Sequence, residues 1–179
     1  MKFKIYGDYD VGVDTFWKSV FFDEGFTAHL YRHGLNFDRL EILSDELLET
    51  GERKRRLKAY PNFDMPVAVR KRLGTQFCYV EDGHYNPKSQ RWTTDIHLPR
   101  LGQKLTIRSA MTFSDKGPNR STRLVEFDVN VNIFGFRRIV EPFLERTLKQ
   151  SYEQARVVTN EWIHEHVDEA QRHRSDASS

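Results

Sequence analysis

The last third of the chain constrains the fold most. From Ile139 to Ile163 apolar residues recur at steps of three and four: Ile139, Val140, Phe143, Leu144, Leu148, Tyr152, Ala155, Val158, Trp162 and Ile163, with Thr159 a mild polar member. That spacing makes one nearly continuous stripe along a helix. Arg137 to about Val167 therefore reads as a single long helix. Pro142 fits best in a first turn, which places the expected start a few residues after Arg137. About 30 residues would span roughly 45 Å. A stripe that long needs a broad apolar partner, and a sheet of six or seven strands supplies one.

The sequence before the helix offers such strands. Val125, Phe127, Val129, Val131 and Ile133 alternate with Glu126, Asp128, Asn130 and Asn132 up to Gly135. Leu105, Ile107, Met111 and Phe113 share one side of the strand before it, and Trp92, Thr94, Ile96 and Leu98 one side of the strand before that. One face buried and one face wet is the antiparallel signature. Further strands are expected over 76–85, 52–60 and 36–47, with a short helix over 65–73. At the start, Phe3, Ile5 and Tyr9 alternate on an opening strand. Asp14 and Asp23 then offer N-caps for two short helices, the second stopping at Gly34. The predicted fold class is α+β: a curved antiparallel sheet wrapped around a long C-terminal helix, with two short helices after the first strand.

At 179 residues this suits one domain, expected over 1–167, followed by a polar, disordered tail over 168–179. No apolar run approaches the roughly 18 residues of a membrane span, so integral membrane association is not expected. The N-terminal residues interleave charge with apolar side chains, unlike a secretory signal. Cys78 is the lone cysteine, which rules out an internal disulfide and fits a reducing, cytoplasmic setting. A net charge of +2 implies no nucleic-acid partner. The oligomeric state is not legible.

Here the chain resembles the START-like superfamily, also called SRPBCC or helix-grip, and within it a bacterial family of unknown function. The resemblance spans about 1–167. It is carried by the opening strand with Val13-Asp14-Thr15-Phe16-Trp17. It is carried further by Val129-Asn130-Val131-Asn132-Ile133-Phe134-Gly135, by Ile139-Val140-Glu141-Pro142-Phe143-Leu144, and by Ser151-Tyr152. Lipid and sterol carriers, aromatases and cyclases, hormone receptors, oxygenase subunits and co-chaperones share that fold, so fold alone narrows function weakly. The resemblance implies a cavity between sheet and helix and no universal catalytic residues. The expected function is non-catalytic binding of a hydrophobic small molecule, lipid-like or aromatic. The alternatives are an aromatase-, cyclase- or hydrolase-like enzyme using the same cavity, and an interaction domain without ligand.

Trp92, Ile107, Met111, Phe127, Val129, Phe143 and Tyr152 lie on faces that should converge and are the candidate ligand-binding residues. Thirteen Phe, seven Tyr and three Trp fit either a packed core or a lined cavity. No catalytic set, cofactor site or metal site is expected: His29 and His33 share a helix face without a third ligand, and His164 and His166 are two apart. The densest charge cluster, Glu52 to Lys58, reads as a solvated edge strand whose basic residues from Arg53 to Lys58 could touch an acidic membrane surface. Its strand parity also allows Arg53 or Arg55 to turn inward and meet a carboxylate.

Overall fold

The computed structural model describes residues 1–73 and 77–167, without the side chains of residues 72 and 73. The tail expected over 168–179 lies outside the described residues, as does the first residue of the strand expected to begin at position 76.

Seven strands form one curved antiparallel sheet. They are β1 (Lys2–Tyr9), β2 (Phe37–Leu47), β3 (Arg53–Pro61), β4 (Tyr79–Asn86), β5 (Arg91–His97), β6 (Leu105–Asp115) and β7 (Ser121–Val131). Their order across the sheet is β1-β7-β6-β5-β4-β3-β2, so β1 and β2 are the edges. The clean alternation of β7 is reproduced: Val125, Phe127, Val129 and Val131 are buried, while Glu126, Asp128 and Asn130 face water. The strand ends at Val131, and Gly135 sits in the turn that follows with φ +72, a left-handed conformation suited to glycine.

Two short helical segments follow β1. The first is α1 (Val13–Thr15), continuing as a wider turn over Phe16–Phe21; the second is α2 (Glu24–His29), continuing over Leu30–Gly34. Asp23 caps α2 as expected, its carboxylate accepting from the Phe26 N–H at 2.6 Å. Asp14 does not cap α1, which starts from Gly12; its carboxylate instead accepts from Gln90 Nε2 at 2.7 Å. The helix expected over 65–73 is α3 (Val67–Leu73).

The long helix α4 (Arg137–Trp162) continues as a wider turn over Ile163–Val167. It begins at Arg137, not later: Pro142 sits inside it and removes one backbone donor, while packing of the flanking Val140 and Phe143 holds the turn. The stripe is buried through Val140, Phe143, Val158, Thr159 and Ile163. Ile139, assigned to it by spacing, is 43% exposed. Leu144, Leu148 and Tyr152 are half-exposed in mid-helix, which has a local cause given below. Contacts of α4 concentrate on β1, β7 and the Leu30–Gly34 turn. At Gly34 the backbone comes so close to Val158 that a Cβ would stand 3.1 Å from both its methyls.

The basic segment is not an edge strand. β3 lies inside the sheet between β2 and β4, and its charges are dispersed. Arg53 makes a bidentate pair with Asp45 of β2 (2.6 and 2.8 Å), Arg56 meets Asp82 of β4 at 3.2 Å, and Lys58 lies over the Tyr60 ring. The edge role falls to β2, where irregular register near Phe37 and Ile42 breaks the alternation and leaves Ile42, Leu43 and Leu47 exposed.

Candidate ligand cavity

Strand alternation sends every second side chain to the concave face, and the register lines these up in rows across the sheet. One row runs Arg55, Gly83, Thr94, Ser109 and Phe127 from β3 to β7. The next runs Leu57, Glu81, Ile96, Ile107 and Val129. At the β1–β7 side these rows are covered by α4. Toward β3, the helix no longer rests on the sheet, and a cavity of about 190 Å³ opens between them. Leu144, Leu148 and Tyr152 line it, so their residual exposure is to this internal space.

Five of the seven residues singled out from the sequence meet there: Trp92, Ile107, Met111, Phe143 and Tyr152 all line the cavity. Phe127 and Val129 do not. Both are buried, but β7 lies directly beneath α4, where packing is solid. Phe127 stacks on Phe3 (centroids 5.0 Å) and meets the Tyr152 ring edge-on at 5.3 Å.

The wall is mostly apolar and includes the rings of Phe16, Phe21, Phe26 and Phe63. Gly83 has a structural reason to be glycine: the Trp92 indole lies across it, and a Cβ there would overlap the ring. Gly83→Ala is therefore expected to push Trp92 toward the cavity and cost about 1–3 kcal/mol, checked by denaturant melts. A melt matching the parent would show that the indole does not rest on the Gly83 backbone.

The polar groups of the wall were the least visible in advance. Arg55 is 6% exposed and lines the cavity, while Arg53, two residues away on the same face, lies over the Phe22 ring and pairs with Asp45. The Arg55 guanidinium lies over the Phe21 and Trp92 rings (5.1 and 5.3 Å). Its Nη1 reaches the Phe21 carbonyl only at 3.5 Å, and its Nε has no partner. Arg123, 5% exposed, sits between the Tyr9 and Tyr152 rings (5.1 and 4.8 Å) and donates from Nη2 to the Tyr152 carbonyl at 3.2 Å; its Nε and the Tyr9 hydroxyl are unpartnered. Between the two arginines, Thr94 and Ser109 share a hydrogen bond of 2.7 Å. A signal for these groups existed: Arg123 and Glu81 stand at inward parity, with Val125 and Tyr79 respectively, where a charge is unexpected.

Glu81 is the cavity's carboxyl group among the described residues. Loss of water around it pushes its carboxyl above the usual range, and the nearby Arg55 only partly opposes this. Desolvation likewise raises the Tyr31, Tyr79 and Tyr152 hydroxyls, which stay neutral at any physiological pH. The unfolded chain gives up the Glu81 proton at a lower pH than the folded one, so stability falls as pH rises through the window above the ordinary carboxylate pKa. Glu81→Gln is expected to melt higher than the parent at pH 7, with the gap closing below about pH 4. Thermal melts across that range test it; a variant less stable at pH 7 would contradict the assignment.

His29 and His33 pack on each other (5.4 Å) and His29 on Trp162 (5.3 Å). Among the described residues no three His, Cys, Asp or Glu side chains are grouped to hold a metal ion, and no helix is long and apolar enough to cross a membrane.

Solved structures share this architecture. The Zhui aromatase/cyclase from Streptomyces sp. R1128 aligns with a TM-score of 0.66 at 7% identity, covering 93% of this chain and 95% of that one. Norcoclaurine synthase from Thalictrum flavum, in complex with dopamine and hydroxybenzaldehyde, gives 0.64 at 16% identity, covering 93% and 87%. A START superfamily protein from Mycobacterium smegmatis gives 0.57 at 11%, covering 92% and 97%. At these identities the likeness establishes the START/SRPBCC helix-grip fold and nothing finer. No curated protein matches the sequence. Residues 7–163 match the model of a family of proteins of unknown function, DUF2505, and the chain belongs to that family.

Proposed function

We propose that this protein binds a compact hydrophobic molecule in the cavity between α4 and strands β3–β6, and that it does so without chemistry. The observation that carries the reading is the space itself: an apolar wall, held open beneath a helix whose ends are firmly packed. Burial of the ligand's apolar surface would supply affinity, with the few polar groups setting its orientation. Size narrows the class. A cavity of about 150 Å³ lined by Leu, Ile and Phe accepts benzene, so about 190 Å³ suits one or two rings better than a long acyl chain. The single-ring ligands dopamine and hydroxybenzaldehyde of the norcoclaurine synthase complex are of that order. The half-buried lone Cys78 fits a reducing cytoplasmic setting.

One observation favours an enzyme instead. Glu81, held toward its protonated form beside Tyr31 and Tyr79, is the kind of group that moves protons in a dry site. No second carboxyl or histidine lines the cavity among the described residues, so binding is the better reading.

Titration of the full chain with naphthalene, followed by tryptophan fluorescence, tests the proposal. A saturable one-to-one change is expected, because Trp92 lines the cavity. A flat response up to the solubility limit would overturn it.

A further inference from the structure

The cavity holds an unbalanced charge. Three ionisable groups with a formal charge at neutral pH line it among the described residues: Arg55, Arg123 and Glu81. Among the described residues neither arginine has a carboxylate within 4.0 Å, although both are more than nine-tenths buried. Buried guanidiniums are ordinarily paired, because an unpaired charge out of water is costly. With Glu81 ionised the wall carries one net positive charge, and with it protonated, two.

The two arginines differ in how well they are satisfied. Arg123 donates to a backbone carbonyl at 3.2 Å and is clasped by two tyrosine rings. Among the described residues Arg55 has only the 3.5 Å hydrogen bond to the Phe21 carbonyl, and its Nε is unpartnered. The rings of Phe21 and Trp92 flank its guanidinium, and its Nε donor is left for an acceptor. A guanidinium edge of two parallel N–H donors matches a carboxylate. Glu81 stands opposite Leu57, on the row next to Arg55; its charge is felt by Arg55, but no ion pair within 4.0 Å forms between them.

We propose that the ligand is a compact aromatic acid, its ring in the apolar part of the cavity and its carboxylate on Arg55. This rests on the cavity-binding reading and adds the ligand's charge and its anchor. A single carboxylate balances the wall with Glu81 ionised. A phosphate or sulfate ester would bring a bulky tetrahedral group into a space of about 190 Å³.

The test compares 2-naphthoate with 2-naphthamide, a neutral molecule of nearly the same shape, by calorimetric titration of the full chain at pH 7. The parent is expected to prefer the acid by about ten- to a hundredfold, the range of a hydrogen-bonded charge in a dry site. Arg55→Met is expected to erase the preference while still binding the amide. The variant should also melt no lower than the ligand-free parent, since it removes an unpaired charge and keeps an apolar stem. Equal binding of acid and amide by the parent would overturn the inference and leave the cavity reading standing, and this comparison needs no variant. Binding of neither would overturn both. A folded Arg55→Met that keeps the preference, with Arg123→Met losing it, would also overturn the assignment to Arg55.

Discussion

A chain ending at Gly135 is expected to show no cooperative unfolding transition and to aggregate. Removing α4 and the turn after it strips away Val140, Phe143, Val158, Ile163 and Val167, all buried. Burying side chains of this size is worth roughly 1.5–3 kcal/mol each, and the sum exceeds the typical net stability of a domain, about 5–15 kcal/mol, once the partly buried Leu144, Leu148, Tyr152 and Trp162 are counted. The loss is not confined to the helix. Val125 and Val129 of the sheet, and Val20 of the turn after α1, all fully buried, belong to the same core and would face water. Thermal melts of the shortened chain check this; a sharp transition would show that the sheet folds without its helix.

Phe127→Ala is expected to cost about 3–5 kcal/mol, the usual range for removing a phenyl ring from a solid core. The ring is sandwiched between Phe3 and Tyr152 and is 3% exposed, so neighbours have little freedom to close the gap. Tyr152→Ala should cost less. Its ring borders the cavity, so fewer packing atoms are lost, although the contact with Arg123 goes too. Naphthalene binding should respond in the reverse order, strongly for Tyr152→Ala and weakly for Phe127→Ala. Paired denaturant melts and titrations read both. Equal destabilisation by the two changes would mean that the helix is packed as tightly at Tyr152 as at Phe127.

Period carried most of the fold. The stripe on α4, the alternation of β5 to β7 and the cap at Asp23 are local, and each was readable because burial of one face dictates residue choice. What was not readable depended on neighbours. Whether β3 lies at an edge depends on β2 pairing outside it, which no local pattern encodes. Phe127 and Tyr152 have equally apolar parity, yet one packs and the other borders open space, because the contacts of α4 with the sheet concentrate on β1 and β7. Arg123 and Glu81 were obscured for a different reason. A charge at inward parity violates the binary pattern, so it reads as noise in a strand until the cavity that tolerates it is seen.

Diffraction from crystals held under xenon gas tests the central claim most directly. Xenon enters dry apolar cavities and needs no chemical complementarity. Density is expected between Ile96, Leu144 and Leu148, beneath α4 and away from Phe127. A core closed on those residues, with no xenon between helix and sheet, would contradict the account.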